Sequence, residues 1–359
     1  MGGRFLIVAF LLACLLATTG LACSQEESDT ATGAAGSPAE TTPATLPPAD
    51  WQSLAPTGAL PSACLGATLV CLPTEGRLLL FGGWAGGGVY SGSIWAYDPA
   101  TNAWTDLGPR GVGPAPRAAH AFAYDPIGGR AILFGGFDGV SYYNDTWAYD
   151  PAANSWTSLL PAGSVPAKRS GHSLAYDPDS GRMILFGGWN GRVDYNDTWA
   201  YDPAANTWTN LMPRGPRPAA RDSQALAYDA GNKMMILFGG WSTQREFQDT
   251  WAYDPAANVW TDLAPAGSVP SSRALAQMVH DPGVQRMVLF GGGSGTEVYD
   301  GTWHFDVAAR TWSMTDLTGP SPSARTGYAL VYDPKGERVV LFGGSGGTTF
   351  FNDLWVLTR

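Results

Sequence analysis

The triplet Phe-Gly-Gly begins at Phe81, Phe134, Phe186, Phe238, Phe290 and Phe342, a step of about 52 residues that runs through most of the 359-residue chain. A period of that size means one supersecondary unit copied in series, each copy burying its apolar face against the next. Two tryptophan series keep step with it. One falls at Trp95, Trp147, Trp199, Trp251, Trp303 and Trp355, the other at Trp51, Trp104, Trp156, Trp208, Trp260 and Trp312. The second series starts before the first Phe-Gly-Gly and stops before the last, so the repeat is out of phase with the chain ends. The period overrides the two domains that length alone suggests. With 45% hydrophobic residues the core material is ample, and the 46 Gly and 27 Pro fall at regular phases as turns.

Within one unit, Ser173-Leu-Ala-Tyr176 alternates as a strand, and Asp177-Pro-Asp-Ser-Gly181 reads as a hairpin turn. Arg182-Met-Ile-Leu-Phe186 follows as an apolar strand covered on both faces. After the Gly-Gly bend, Asp197-Thr-Trp-Ala-Tyr201 and Thr207-Trp-Thr-Asn-Leu211 supply two more strands around the turn Asp202-Pro-Ala-Ala-Asn206. The Pro-rich segment between units, for example Leu160 to Lys168, is long enough to cross three strand spacings, roughly 14 Å, from an outer strand to the next inner one.

The apolar run into Gly-Gly (Ile132-Leu-Phe-Gly-Gly136), Asn196-Asp-Thr-Trp199, the Tyr-Asp-Pro turn and the fourth-strand Trp208 together resemble the kelch family of β-propellers, over residues 50–359. This is the fold type of the galactose-oxidase central domain. The resemblance implies an all-β, six-bladed propeller with four-stranded blades. Its ring is closed by the N-terminal strand around Trp51 pairing with the last blade, because the last unit ends at Arg359 after its third strand and Asp50-Trp-Gln-Ser-Leu54 can supply the fourth. Blade one departs from the others in carrying Cys64 and Cys71 where they have Arg and Tyr.

What recurs in every blade most simply serves the fold, and what differs is open to other use. The segments after Gly-Gly differ most. Four open on an aromatic, Trp84, Phe137, Trp189 and Trp241, and blades three and four add Arg192, Asp194, Arg245 and Glu246. Aromatic platforms beside hydrogen-bonding charges suit a glycan or an extended peptide, and packing between blades would use the same rings. A further aromatic series, Tyr90, Tyr143, Tyr195, Phe247, Tyr299 and Phe351, reads as structural. The column Arg117, Arg169, Arg221, Arg273 and Arg325 reads as ties between loops of adjacent blades, with an anion bound in the channel as the alternative, and His120 and His172, at one phase, as structural histidines. No catalytic or metal constellation stands out and no cofactor is expected. The reading is a non-catalytic binding or scaffold module for protein or glycan. The resemblance keeps a carbohydrate-active enzyme, an oxidase or a sugar epimerase, as the alternative.

Residues 1–22 read as a signal peptide, with an apolar run from Phe5 to Leu16, and 23–49 as a disordered tether of Ser, Thr, Ala, Pro, Glu and Gly. The leader resembles that of an exported bacterial lipoprotein, with Cys23 as the lipidated residue. Gly20-Leu21-Ala22 also fits ordinary cleavage, and an uncleaved anchor is the third option. The expected location is the cell envelope, periplasm or cell surface, with membrane contact through a lipid anchor only. The expected state is monomeric. A formal net charge of -10 argues against nucleic acid as a partner. Cys64 and Cys71, placed in one extended strand, are too far apart to bridge and read as packing thiols.

Overall fold

Short apolar runs punctuated by Asp-Pro and Gly can fold only as strands in a meander, and they do so throughout the computed structural model. It describes residues 49–359 apart from Thr296, and no helix occurs among them. The signal segment 1–22, the tether up to residue 48 and Cys23 lie outside the described residues. In blade three the strands Ser173–Asp177, Arg182–Phe186, Thr198–Asp202 and Thr207–Asn210 pair antiparallel in sequence order, with Leu185 between Leu174 and Trp199. Blades one, two, four and five repeat this order, and blade five adds a small hairpin, Gly293–Ser294 with Glu297–Val298.

The six inner strands are Thr68–Leu72, Ala121–Asp125, Ser173–Asp177, Ala225–Asp229, Gln277–Asp281 and Ala329–Asp333. Each touches the next and the last touches the first, so the sheets stand around a closed ring. Blade six is built from both ends of the propeller. Asp50–Leu54 pairs antiparallel with Phe350–Thr358, placing Trp51 opposite Leu357 and Ser53 opposite Trp355. The chain is therefore the six-bladed propeller that the out-of-phase tryptophans imply, and pairing of the edge strand leaves no open seam.

The core is a set of layers between neighbouring blades. Blades one and two, for instance, share Leu79, Phe81, Ile94, Leu133, Tyr149 and Trp156. Every layer carries one repeated contact, in which the outermost-strand Trp packs on the Phe of the preceding blade's Phe-Gly-Gly. The centroids lie 5.0 Å apart for Phe81 and Trp156, 4.8 Å for Phe134 and Trp208, and 5.3 Å for Phe290 and Trp51. Such aromatic pairs contribute about 0.5–1.5 kcal/mol beyond the area they bury.

The Gly-Gly pair lets the next blade's backbone approach. Gly188 donates its N–H to the Arg221 carbonyl at 2.8 Å, and a Cβ on Gly187 would stand 2.6 Å from that same oxygen. Around the channel mouth the blades are joined by a continuous circle of backbone hydrogen bonds. Ala119 donates to Gly66, Gly171 to Ala119, Ser223 to Gly171, Leu275 to Ser223, Gly327 to Leu275 and Gly66 to Gly327, with N···O distances of 2.7–3.0 Å. All six residues hold φ between 53° and 71°, the left-handed region that costs a residue with a side chain about 1–2 kcal/mol. Ala119, Ser223 and Leu275 adopt it nonetheless, because ring closure dictates the conformation.

Candidate functional site

The segments after Gly-Gly and the segments bearing the Arg column meet at one end of the strands. Backbone bridges join Trp84 to Leu65, Phe137 to Ala118, Trp189 to Ser170 and Trp241 to Asp222, so the four variable-loop aromatics sit at one position, each anchored on its own blade. Trp84 and Trp189 are buried, while Phe137 and Trp241 are partly covered. Over blades six, one and two the rings run in a chain. Phe350 meets Trp84 edge-on at 5.3 Å, Trp84 lies 6.5 Å from Tyr90, Tyr90 6.2 Å from Phe137, and Phe137 4.5 Å from Tyr142. The loops interlock through small residues, because Tyr90 lies against Gly139 and Tyr142 against Gly191.

Blades three and four achieve the same locking with charge. Asp194 accepts the backbone N–H of Thr243 at 3.1 Å, and Glu246 accepts that of Gly295 at 2.6 Å. These two carboxylates tie each loop to the next. Arg192 and Arg245 are exposed, with Arg245 stacked 4.7 Å from the Phe247 ring. At the tips of the loops of blades one, two and three stand Val89, Val140 and Val193, which are 61%, 89% and 46% exposed. Three exposed branched aliphatics thus stand on adjacent, mutually packed loops of this face.

Beneath the loops lies the Arg column. Arg117, Arg169, Arg221 and Arg325 are buried, and each grips a carboxylate with both terminal nitrogens: Asp145 at 2.6 and 2.9 Å, Asp197 at 2.6 and 2.8 Å, Asp249 at 2.5 and 2.8 Å, and Asp353 at 2.6 and 2.9 Å. Each guanidinium also lies over an aromatic ring, Tyr143, Tyr195, Phe247 and Phe351 respectively, 3.7–4.2 Å from its centroid. Burial alone would raise the Asp197 and Asp249 carboxyls. The paired Arg169 and Arg221 outweigh it and hold both below the ordinary aspartate value. The side chains thus pin loops within their own blade, correcting the expectation that they tie adjacent ones. It is the backbone that reaches across, since Arg169 N–H donates to the Tyr143 carbonyl of blade two.

The same backbone pattern corrects the aromatic series. In blade one Ser91, not Tyr90, donates to Gly83 and accepts from the next Arg, as Tyr143, Tyr195, Phe247 and Tyr299 do in blades two to five. Blade one therefore lacks the whole unit. Cys64 replaces the Arg, Ser91 the ring and Ser93 the Asp. Cys64 also lies outside the strand Thr68–Leu72 that holds Cys71. Both thiols are free, and burial pushes each up to about 12. The Asp partners were not singled out from sequence, although a constant spacing of 28 residues from each Arg was there to find.

Motifs repeated at fixed phase are what a family model records, and one matches almost the whole propeller. The KLHDC2/KLHL20/DRC7 Kelch-repeats domain matches residues 44–229 and again 180–358. The chain belongs to the kelch-repeat family. Among curated relatives, the Rab9 effector protein with kelch motifs of Xenopus laevis is 28% identical over 219 residues, covering 58% of this kelch chain and 58% of that protein. The mouse protein of that name is 28% identical over 211 residues, covering 57% and 55%. The flagellar outer-arm dynein alpha chain of Chlamydomonas reinhardtii is 28% identical over 264 residues, covering 69% of this chain and 6% of the dynein. The chain thus spans a little over half the length of the first two.

The kelch channel, about 580 Å³, is lined by side chains such as Leu174, Tyr176, Leu226, Tyr228, Met278 and His280. At its loop end His120 and His172 pack edge-on against Phe81 and Phe134 at 5.2 and 5.4 Å. The equivalent position in blade four is Gln224, which donates to the Phe186 carbonyl at 2.9 Å. Burial, reinforced by the Arg169 charge, pushes the His172 imidazole down to about 3, so it is neutral at pH 7. Among the described residues no group of three or more His, Cys, Asp or Glu stands close enough to hold a metal ion.

Proposed function

We propose that this kelch propeller is a non-catalytic module that docks a protein against the loop face of blades one to three, and that it works outside the cytoplasm on a tether fixed through Cys23. The observation that carries the docking is the row Val89, Val140 and Val193, exposed on three loops that Tyr90 and Tyr142 lock side by side. Preformed apolar tips over a rigid base gain desolvation energy without paying for loop ordering, which suits a protein surface. A glycan would use exposed aromatic planes, and here Trp84 and Trp189 are buried. The relatives named as Rab9 effectors are similar over just part of their length, and they support a protein as the kind of partner.

The test is site-specific photo-cross-linking in cells producing the full chain, with the cross-linker at position 140 or, on the opposite face, at exposed Ile127. Discrete protein adducts are expected from position 140, absent from position 127 and lost on Val89→Asp with Val193→Asp. Equal adducts from both faces would refute the docking surface. A glycan array with the purified domain, alongside Trp189→Ala and Trp241→Ala, tests the sugar reading directly. Cys23→Ser should release the chain from the membrane fraction, and a parent chain already soluble would remove the tether.

A further inference from the structure

Blade five keeps the cation of the repeated ion pair and has lost the anion. Arg273 is 3% exposed and held as its counterparts are. Its Nε donates to the Ser271 carbonyl and its Nη1 to the Gly291 carbonyl, both at 2.9 Å, and its guanidinium lies 4.2 Å from the Tyr299 ring. The residue 28 positions on, Asp in four other blades, is Gly301. Its phase is certain, because Gly291 donates to the Gly301 carbonyl as Gly187 does to that of Asp197. In those four blades the Asp also accepts the indole N–H of the Trp two residues later, at 2.7–2.8 Å. Among the described residues Arg273 pairs with no carboxylate, Trp303 Nε1 has no acceptor, and neighbouring Asp300 is exposed and makes no ion pair with Arg273.

Blade one shows what loss of the unit as a whole looks like, with the Arg, the ring and the Asp all gone. Blade five instead retains a buried, oriented guanidinium facing a gap. An unpaired buried charge is costly, and removing its partner normally destabilises strongly. The four equivalent Asp side chains are 25–34% exposed, so the place one would occupy opens to solvent.

We propose that Arg273, Trp303 and the backbone at Gly301 form a receptor for a single carboxylate supplied from outside the chain. What Gly301 lacks relative to Asp is a methylene bearing a carboxylate, which has the size and charge of acetate. Such a group would accept two charge-assisted bonds from Arg273 and one from the indole, the set each Asp makes in blades two, three, four and six. The site lies on a different blade from the valine tips, and its occupant can be a free small acid or an acidic side chain of another protein.

The full chain, with 15N-labelled tryptophan, is titrated with sodium acetate at constant ionic strength set by chloride. A saturable shift of the Trp303 indole N–H, assigned with Trp303→Phe, is expected together with a rise in melting temperature. Gly301→Asp copies four other blades. It should raise the melting temperature without acetate and weaken the acetate response at least tenfold. Gly301→Ala fills the gap without charge and should lose the response without the gain. Asp300→Asn should respond as the parent does. No acetate-specific shift in the parent, an undiminished shift in Gly301→Asp, or an equal effect of chloride would overturn the proposal. Displacement of acetate by a peptide bearing Asp, and not by its Asn version, would assign the carboxylate to a protein, whereas displacement by neither would assign it to a free acid.

Discussion

The indole N–H of Trp51 donates to the hydroxyl of Thr302 at 2.9 Å, across 251 residues of sequence. The same bond joins Trp208 to Thr146, Trp260 to Thr198 and Trp312 to Thr250, at 3.0–3.1 Å, so the N-terminal strand completes blade six with the contacts used elsewhere. Trp51→Ala should destabilise the propeller by about 3–5 kcal/mol and Thr302→Val by about 1 kcal/mol, read from urea unfolding midpoints. A Trp51→Ala protein with the parent's midpoint would contradict closure through this strand.

Two layers break that pattern for a reason visible at one position each. Ile94 and Leu354 stand where Thr does elsewhere, and the indole nitrogens of Trp156 and Trp104 are buried without an acceptor. A double-mutant cycle of Thr198→Val with Trp260→Phe should show coupling of about 1 kcal/mol. The matching cycle of Ile94→Val with Trp156→Phe should show coupling near zero. Equal coupling in both layers would mean that the hydroxyl contributes nothing.

His172 makes stability depend on pH. Its pKa is about 3 in the fold against about 6.5 in an unfolded chain, so between those values the unfolded state binds the extra proton and stability falls as pH falls. The loss is on the order of 1.4 kcal/mol per pH unit across the window, or about 2–3 kcal/mol between pH 7 and pH 4.5. His172→Gln, with Gln224 as its precedent, should be less sensitive over that range by a similar amount. Parallel stability curves for the two proteins would show that the imidazole does not titrate as its burial demands.

Gly187→Ala tests the close approach of one blade to the next. The added Cβ would lie 2.6 Å from the Arg221 carbonyl oxygen, at a residue with φ of 71°. Strain of about 1–3 kcal/mol is expected, together with faster amide exchange at Gly188, whose N–H uses that carbonyl. Unchanged exchange at Gly188 would place the strain elsewhere.

Blade number, strand order and closure were legible because they depend on phase, and Trp51 preceding the first Phe-Gly-Gly was enough to show which strand was displaced. Phase also misled. Trp95 follows Phe81 by 14 residues where the other blades have 13, and that one extra residue aligned Tyr90 with Tyr143 when the backbone pairs Ser91 there. That Asp194 and Glu246 tie their loops to the next was not legible, because it depends on a neighbouring loop's backbone, which no side-chain pattern reports. Gly301 was hidden differently. A missing carboxylate becomes informative after Asp145, Asp197, Asp249 and Asp353 are seen to share one task.

The circle of hydrogen bonds from Gly66 through Gly327 has an electrostatic consequence for whatever enters the channel. Its donors all point the same way around the axis, so the six hydrogen bonds run head to tail in a circle and their components around it sum to no net dipole. The N–H and C=O of each residue are also spent on one another. With those groups engaged around the ring, discrimination at that entrance falls to the side chains on either side of it.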